Sequence, residues 1–152
     1  LYTNRKPLDA ALEKQLNARY VDKAALLAES DYLSVHCPLM PETTHAFGVV
    51  EFSAMKKSAY FINTSRGPVV DEAALVTALK HGDIAGAGLD VYEHEPALHE
   101  GLYDCENAVI APHLGSATLE TRGKMASIAA TNIIARLRGD RPPNCVNPEV
   151  LA

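Results

Sequence analysis

The stretch from Ala59 to Asp90, AYFINTSRGPVVDEAALVTALKHGDIAGAGLD, contains the pattern that decides the fold. It opens with the apolar run Ala59 to Ile62 and closes with Ala85 to Asp90, and both runs are typical of strands. Between them a helix is predicted, beginning near Asp71, whose carboxylate can cap the first turn, and ending at Gly82. The apolar face of this helix consists of Ala74, Leu75, Ala78 and Leu79. A strand, a helix and a strand in this order predict two parallel strands joined by a crossover.

Further strand-like runs lie on both sides of this stretch, at Asp31 to His36 and at Ala108 to Ile110. Two short helices, Leu8 to Leu16 and Lys23 to Ala28, are predicted around a brief strand at Arg19 to Val21. Strands that alternate with helices predict an α/β fold, in which a doubly wound, Rossmann-like parallel sheet is covered by helices on both faces.

A longer helix is predicted from Thr118 to Arg138, with Gly139 beyond its end. One stripe of this helix is apolar, and we interpret the stripe as core packing; it consists of Met125, Ile128, Ala129, Ile133 and Leu137. The segment from Asp140 to Pro148 contains three prolines and no periodicity. It should lie on a surface or cross to a part of the protein outside this sequence.

The composition is that of an ordinary globular protein, with 152 residues, of which 47% are hydrophobic and 22% charged, and a net charge of −5. One domain is expected from this length. The basic residues are scattered, so nucleic acid is not expected as a partner. No apolar stretch approaches the roughly 20 residues that a membrane span needs. The three cysteines, Cys37, Cys105 and Cys145, lack the spacing of a metal site or a disulfide framework and are interpreted as free thiols. These features predict a protein of the cytoplasm.

Three polar residues, Arg66, Glu95 and His113, each follow a predicted strand. Because ligands of open α/β sheets bind at the carboxyl ends of the strands, these side chains are candidates for one site. An arginine can hold a carboxylate through paired hydrogen bonds. An imidazole titrates near neutral pH and can donate a proton to a carbonyl oxygen, and a neighbouring carboxylate favours its protonated form. Each residue also has a simpler interpretation. Arg66 could form a surface ion pair, Glu95 could belong to a solvated turn, and His113 could be a structural histidine.

Three segments together resemble the D-isomer-specific 2-hydroxyacid dehydrogenase family. They are Asn63 to Gly67 (NTSRG), Gly88 to Pro96 (GLDVYEHEP) and Pro112 to Ser116 (PHLGS), in the order that the family has. The resemblance covers essentially the whole chain and is strongest to glyoxylate and hydroxypyruvate reductases, with 2-ketogluconate reductases close by. It implies a dinucleotide-binding domain completed by a substrate domain, with the active site in the cleft between them.

The same resemblance implies a role for each candidate residue. Arg66 would bind the substrate carboxylate and polarise the keto group, His113 would be the acid/base, and Glu95 would support it. Asp90 would lie near the nicotinamide. Further cofactor contacts are implied for Cys37, Pro38, Thr43, Thr64, Ser65 and Gly115. The implied reaction is reduction of a small 2-keto acid to the D-2-hydroxy acid, without a metal.

The turn Asn4-Arg5-Lys6 is expected where a dinucleotide-binding fold has the acid that receives the ribose hydroxyls. Here that acid is replaced by an amide and followed by two cations, which favours a cofactor with a 2′-phosphate. From charge alone, an exposed basic turn is an equally good interpretation. The family resemblance favours NADPH as the cofactor, with NAD as the alternative.

The first residues, Leu1-Tyr2-Thr3, have the pattern of a strand that is ending. A doubly wound dinucleotide-binding fold needs a preceding strand, a glycine-rich turn and a helix, so we expect this fold to be incomplete here. In this interpretation residues 1–138 form a partial dinucleotide-binding domain, and residues 139–152 form a tail that returns to a substrate domain outside the sequence. We expect the chain alone to be inactive and the full-length protein to be a homodimer.

Two classes of function stay open at this point. One is an enzyme of hydride transfer. The other is a dinucleotide-sensing binding protein, such as the transcriptional corepressors that share this scaffold, because such proteins can keep all three polar residues. Turnover of a 2-keto acid would separate the two.

Overall fold

The protein, seen in a computed structural model, is described for residues 1 to 151. It divides into two compact units, Leu1–Pro112 and a second unit that begins at His113. The predicted division at residue 138, where the long helix ends and the tail begins, stays a prediction.

A four-stranded parallel sheet forms the centre of the first unit. Its strands are β1 (Tyr32–Val35), β2 (Tyr60–Asn63), β3 (Gly86–Leu89) and β4 (Ala108–Ile110), and they lie in the order of the sequence. In the register of the sheet, Phe61 lies between Leu33 and Ala87. The parallel sheet and its crossovers confirm the predicted α/β, Rossmann-like fold. The predicted cover of helices on both faces is not seen in the first unit, where one face of the sheet is exposed.

Four helices belong to the same unit: α1 (Ala10–Leu16), α2 (Lys23–Glu29), α3 (Val49–Ala54) and α4 (Glu72–His81). Helix α4 begins and ends as predicted. The Asp71 carboxylate accepts a hydrogen bond of 2.9 Å from the Ala74 amide, and Gly82 closes the helix in the left-handed region at φ 71°.

The core lies between one face of the sheet and helices α2 to α4. Phe61 of β2 is fully buried and packs edge to face on Phe52 of α3, with 5.2 Å between ring centroids. Leu75 of α4 is fully buried in the same cluster. The opposite face of the sheet exposes Tyr32 and Tyr60, whose rings stack with 5.5 Å between centroids.

Two short elements differ from expectation. The strand predicted at Arg19 to Val21 is reduced to an isolated parallel bridge between Tyr2 and Tyr20, outside the four-stranded sheet. Helix α3, by contrast, is not predicted, because its six residues are too few to show a period and only Phe52 is buried.

The second unit contains one long helix, α5 (Leu119–Leu137), which is capped by Thr118 as predicted. The interpretation of its apolar stripe as core packing is wrong, since no residue of α5 is buried and Leu137 is 83% exposed. An apolar stripe shows which face of a helix avoids water, but it does not show that the same chain supplies the partner. A single 3₁₀ turn, Pro148–Leu151, follows in the tail.

Candidate active site

The turn that carries Arg66 is shaped by one buried side chain, Asn63, at the end of β2. The Asn63 side-chain amide donates to the Arg66 carbonyl at 3.0 Å, and its oxygen accepts from the Ser65 amide at 3.0 Å and from the Ser65 hydroxyl at 2.9 Å. The Arg66 side chain is exposed, and its Nη1 donates to the Ser65 carbonyl at 2.6 Å. Arg66 therefore projects a cation from a rigid turn at the carboxyl end of a strand.

Glu95 lies on the loop that follows β3. Its Oε1 accepts a hydrogen bond of 3.1 Å from the Tyr92 amide. The Tyr92 hydroxyl in turn donates to the Ala111 carbonyl at 2.6 Å, and burial raises the pKa of this hydroxyl, which keeps it a donor. The loop is thereby tied to the end of β4.

The Arg66 turn and the Glu95 loop are in direct contact. A Cβ atom added to Gly67 would lie 1.8 Å from the carbonyl carbon of Tyr92, so the two backbones touch at that point. A second tie is the hydrogen bond of 3.0 Å from the Asp90 amide to the Asn63 carbonyl. The structure thus brings Arg66 and Glu95 onto adjoining loops at the carboxyl edge of β2 and β3.

His113 is the first residue of the second unit and is described within that unit alone. It is exposed, and its backbone adopts the left-handed region at φ 54°. Left-handed backbone costs free energy for residues other than glycine, and it occurs disproportionately at functional positions. Gly115 lies two residues further on in the same unit.

The basic turn Asn4-Arg5-Lys6 is exposed and held by two tyrosines. The Tyr20 hydroxyl donates to the Asn4 carbonyl at 3.0 Å, and the Tyr2 hydroxyl accepts from the Leu8 amide at 2.7 Å. The two rings pack edge to face, with 5.5 Å between centroids. The sequence pattern does not single out these tyrosines, because their contacts depend on how the turn folds.

Cys37, Pro38 and Thr43 belong to the loop after β1. The Thr43 hydroxyl donates to the Pro38 carbonyl at 2.8 Å and accepts from the Met40 amide at 2.8 Å, so it closes the loop on itself. Cys37 packs against the core. The ring of His36 hydrogen-bonds the Ser34 hydroxyl at 2.8 Å, on the other face of the strand.

The remaining predicted cofactor residues lie at the same edge of the sheet. Thr64 is exposed in the Arg66 turn, while Ser65 and Asp90 are partly buried. All three cysteines are free thiols, as predicted. Cys105 is buried, and burial raises the pKa of its thiol, which makes the thiol a poor nucleophile.

Neither a membrane span nor a metal cluster is found in the described part of the chain. None of its helices is both long and apolar enough to cross a membrane. Within residues 1 to 151, no three His, Cys, Asp or Glu side chains are grouped so that they could hold a metal ion.

Comparison with known proteins assigns the region that contains these candidate residues to a protein family. Residues 1–115 match the family described as D-isomer specific 2-hydroxyacid dehydrogenase, NAD binding domain. The chain is 53% identical over 147 residues to a glyoxylate reductase of Thermococcus litoralis, covering 97% of this chain and 44% of that protein. It is 50% identical over 151 residues to glyoxylate/hydroxypyruvate reductase B of Klebsiella pneumoniae, covering 99% of this chain and 46% of that protein.

Solved structures agree with this similarity. An NADPH-dependent glyoxylate/hydroxypyruvate reductase of Sinorhizobium meliloti, solved in complex with NADP and malonate, superposes with a TM-score of 0.79 at 38% identity. The superposition covers 88% of this chain and 41% of that one. The chain thus spans less than half the length of these relatives. The matched region includes Arg66, Glu95 and His113, and the chain belongs to the D-isomer-specific 2-hydroxyacid dehydrogenase family.

Proposed function

We propose that this chain is the cofactor-binding part of an NADPH-dependent reductase of small 2-keto acids of the glyoxylate and hydroxypyruvate type. The observation that carries the proposal is the meeting of the Arg66 turn and the Glu95 loop, which gathers a cation and a carboxylate at the carboxyl edge of a parallel sheet. The chain is 53% and 50% identical in sequence to two reductases named for these substrates, which supports the proposal.

The residues present fit a dinucleotide. Arg5 and Lys6 are exposed cations on a turn that two tyrosines hold, which suits a 2′-phosphate. Asn4 in that turn would meet the ribose, and Thr64, Ser65, Asp90 and Gly115 would lie along the nicotinamide half. Cys37, Pro38 and Thr43 would border the adenine. The NADPH-dependent relative of Sinorhizobium meliloti supports this cofactor over NAD.

The chemistry divides between the cofactor and three side chains. The cofactor, when bound, supplies a hydride to the keto carbon. Arg66 holds the substrate carboxylate through two parallel hydrogen bonds and withdraws electron density from the keto group. His113 gives its proton to the keto oxygen, which completes the hydroxyl group. Glu95 stabilises the protonated imidazole and orients it.

The intact natural protein tests this proposal. With NADPH it should reduce glyoxylate or hydroxypyruvate, and His113→Gln should lower kcat/KM by about a hundredfold to ten-thousandfold because the proton donor is lost. Arg66→Ala should lower kcat/KM and raise KM for the keto acid, whereas Arg66→Lys keeps the charge and should recover only part of the loss.

The control for these variants is Lys57→Ala, which removes an exposed cation from the surface. Near-normal kcat/KM in both His113→Gln and Arg66→Ala would show that the catalytic assignment is wrong. Tight NADPH binding without turnover of any 2-keto acid would instead indicate the sensing protein.

Three sequence predictions about the whole protein stay predictions. They are a homodimer, a location in the cytoplasm, and inactivity of the chain alone.

A further inference from the structure

Glu72 is a buried carboxylate that the proposed reaction does not use. It is the first residue of α4 and is only 4% exposed. Its Oε1 accepts a hydrogen bond of 2.8 Å from the Glu93 amide, and its Oε2 accepts one of 3.0 Å from the His99 amide. Both oxygens of this carboxylate are thus committed to the backbone of the loop that carries Glu95.

Glu93 returns the contact. Its Oε2 accepts from the Glu72 amide at 3.3 Å, while its Oε1 hydrogen-bonds the ring of His45 at 2.6 Å. The His45 amide donates to the Pro68 carbonyl at 2.9 Å. We call the reciprocal pair of Glu72 and Glu93 the carboxylate strap.

The buried Glu72 carboxylate has a hydrogen-bond donor facing each of its oxygens. A buried carboxylate is costly unless hydrogen bonds replace its water. Here two backbone N–H groups do so, and the helix dipole is positive at the first turn of α4. An uncharged isostere has no such match, because both Glu72 oxygens face donors and an amide nitrogen would oppose one of them.

The placement of the strap connects it to the site. Two backbone amides donate hydrogen bonds to Glu72, those of Glu93 and His99, and they lie on opposite sides of Glu95 in the sequence. On the other side of the strap, α4 follows the Arg66 turn after a single 3₁₀ turn, Gly67–Val69. The strap therefore joins the segment after Arg66 to both ends of the loop that carries Glu95.

We propose that the carboxylate strap is a positioning device that fixes Glu95 relative to Arg66, the two proposed site residues of the first unit. The inference rests on the proposed function. Displacements of about 1 Å at a reacting centre can cost on the order of a hundredfold in rate, so a pair of side chains outside the site can still control catalysis.

A double-variant comparison in the intact natural protein tests this. Glu72→Gln should lower kcat/KM by about tenfold to a hundredfold, and it should move the midpoint of the pH profile of kcat/KM in the same direction as Glu95→Gln. If the strap acts through Glu95, the double variant Glu72→Gln/Glu95→Gln should have a kcat/KM no lower than that of Glu95→Gln alone. Glu106→Gln, an exposed carboxylate near the end of the same connection, is the matched control and should leave the kinetics unchanged.

A second variant covers the case in which an amide at position 72 prevents folding. Glu93→Gln alters the more accessible member of the strap, whose side chain is 18% exposed. Its effect on kcat/KM should likewise not add to the effect of Glu95→Gln. If the effects of the strap variants on kcat/KM add fully to that of Glu95→Gln, or if the midpoint of the pH profile does not move, the positioning role of the strap is wrong. The proposed function is not affected by either result. Normal kinetics in Glu95→Gln would overturn the role of Glu95 in the proposed function and the strap's role with it.

Discussion

At the scale of single residues, Asn63 shows how one amide shapes the surroundings of a reactive side chain. It is 1% exposed, and its side chain satisfies the Ser65 amide and the Arg66 carbonyl together. A side chain that lacks either group would remove one of these two hydrogen bonds, which hold the turn in shape. Arg66, Glu95 and His113 can be proposed from the sequence because each follows a predicted strand and lies in a segment that resembles the family. Asn63 and Glu72 cannot, since their partners depend on loop conformations that periodicity does not reveal.

Arg5 gives a prediction at this scale. Arg5→Ala should raise KM for NADPH by about tenfold to a hundredfold, and KM for NADH by much less, because a charge-assisted contact to the 2′-phosphate is worth about 1.5 to 3 kcal/mol. Steady-state kinetics of the intact natural protein with both cofactors measure the two effects. Lys57→Ala again controls for the loss of one surface charge. An equal rise in both KM values would remove Arg5 from phosphate recognition.

At the scale of elements, predictability follows the length of the pattern and its caps. Helix α4 can be predicted at both ends, since Asp71 and Gly82 are strong local signals. The strands can be predicted within a residue or two, because each is a short apolar run between polar turns. Helix α3 cannot, since its six residues show no period. The burial of a helix face depends on partners elsewhere, which is why the core-packing interpretation of α5 fails.

Helices α2 and α3 are joined by a pair of charges that predicts a pH dependence. Lys23 Nζ of α2 lies 2.8 Å from Glu51 Oε1 of α3, and the Gly48 amide donates to Glu51 Oε2 at 3.0 Å. Burial alone would raise the pKa of the Glu51 carboxyl, but the hydrogen bonds from Lys23 and Gly48 outweigh it and hold this pKa below its ordinary value of 4.5. A carboxyl whose pKa is lower in the folded state stabilises the fold above its unfolded pKa, and this contribution is lost as the pH falls through the folded pKa.

We therefore expect Glu51→Gln to lower the free energy of unfolding by about 1 kcal/mol near neutral pH and to have almost no effect in strong acid, where Glu51 itself is protonated. Thermal or urea unfolding of the intact natural protein across this pH range measures the difference. Glu42→Gln, at an exposed carboxylate in the loop before α3, should change stability little at either pH. A Glu51→Gln effect of the same size in acid as at neutral pH would contradict the assignment.

At the scale of the whole molecule, the described chain leaves surfaces that such folds usually cover. Parallel sheets are normally covered on both faces. In the first unit only one face carries the core, while Tyr32 on the other is 73% exposed. The relatives that the chain matches are more than twice as long as the matched part. A cofactor-binding half with an open sheet face fits the proposal of a larger enzyme.

This open face leads to the last prediction. The 152-residue chain should bind the apolar dye anilinonaphthalene sulfonate with a marked rise in fluorescence, because the stacked rings of Tyr32 and Tyr60 offer it an exposed apolar surface. The double variant Tyr32→Ser/Tyr60→Ser should lose a large part of the rise. Tyr103→Ser removes a ring that is just as exposed, at 72%, on a connection away from this face, and should lose little. In a longer natural form whose additional chain covers the face, the dye should find no site there. Equal dye binding by the 152-residue chain and its Tyr32→Ser/Tyr60→Ser variant would show that the dye does not bind to this face of the sheet.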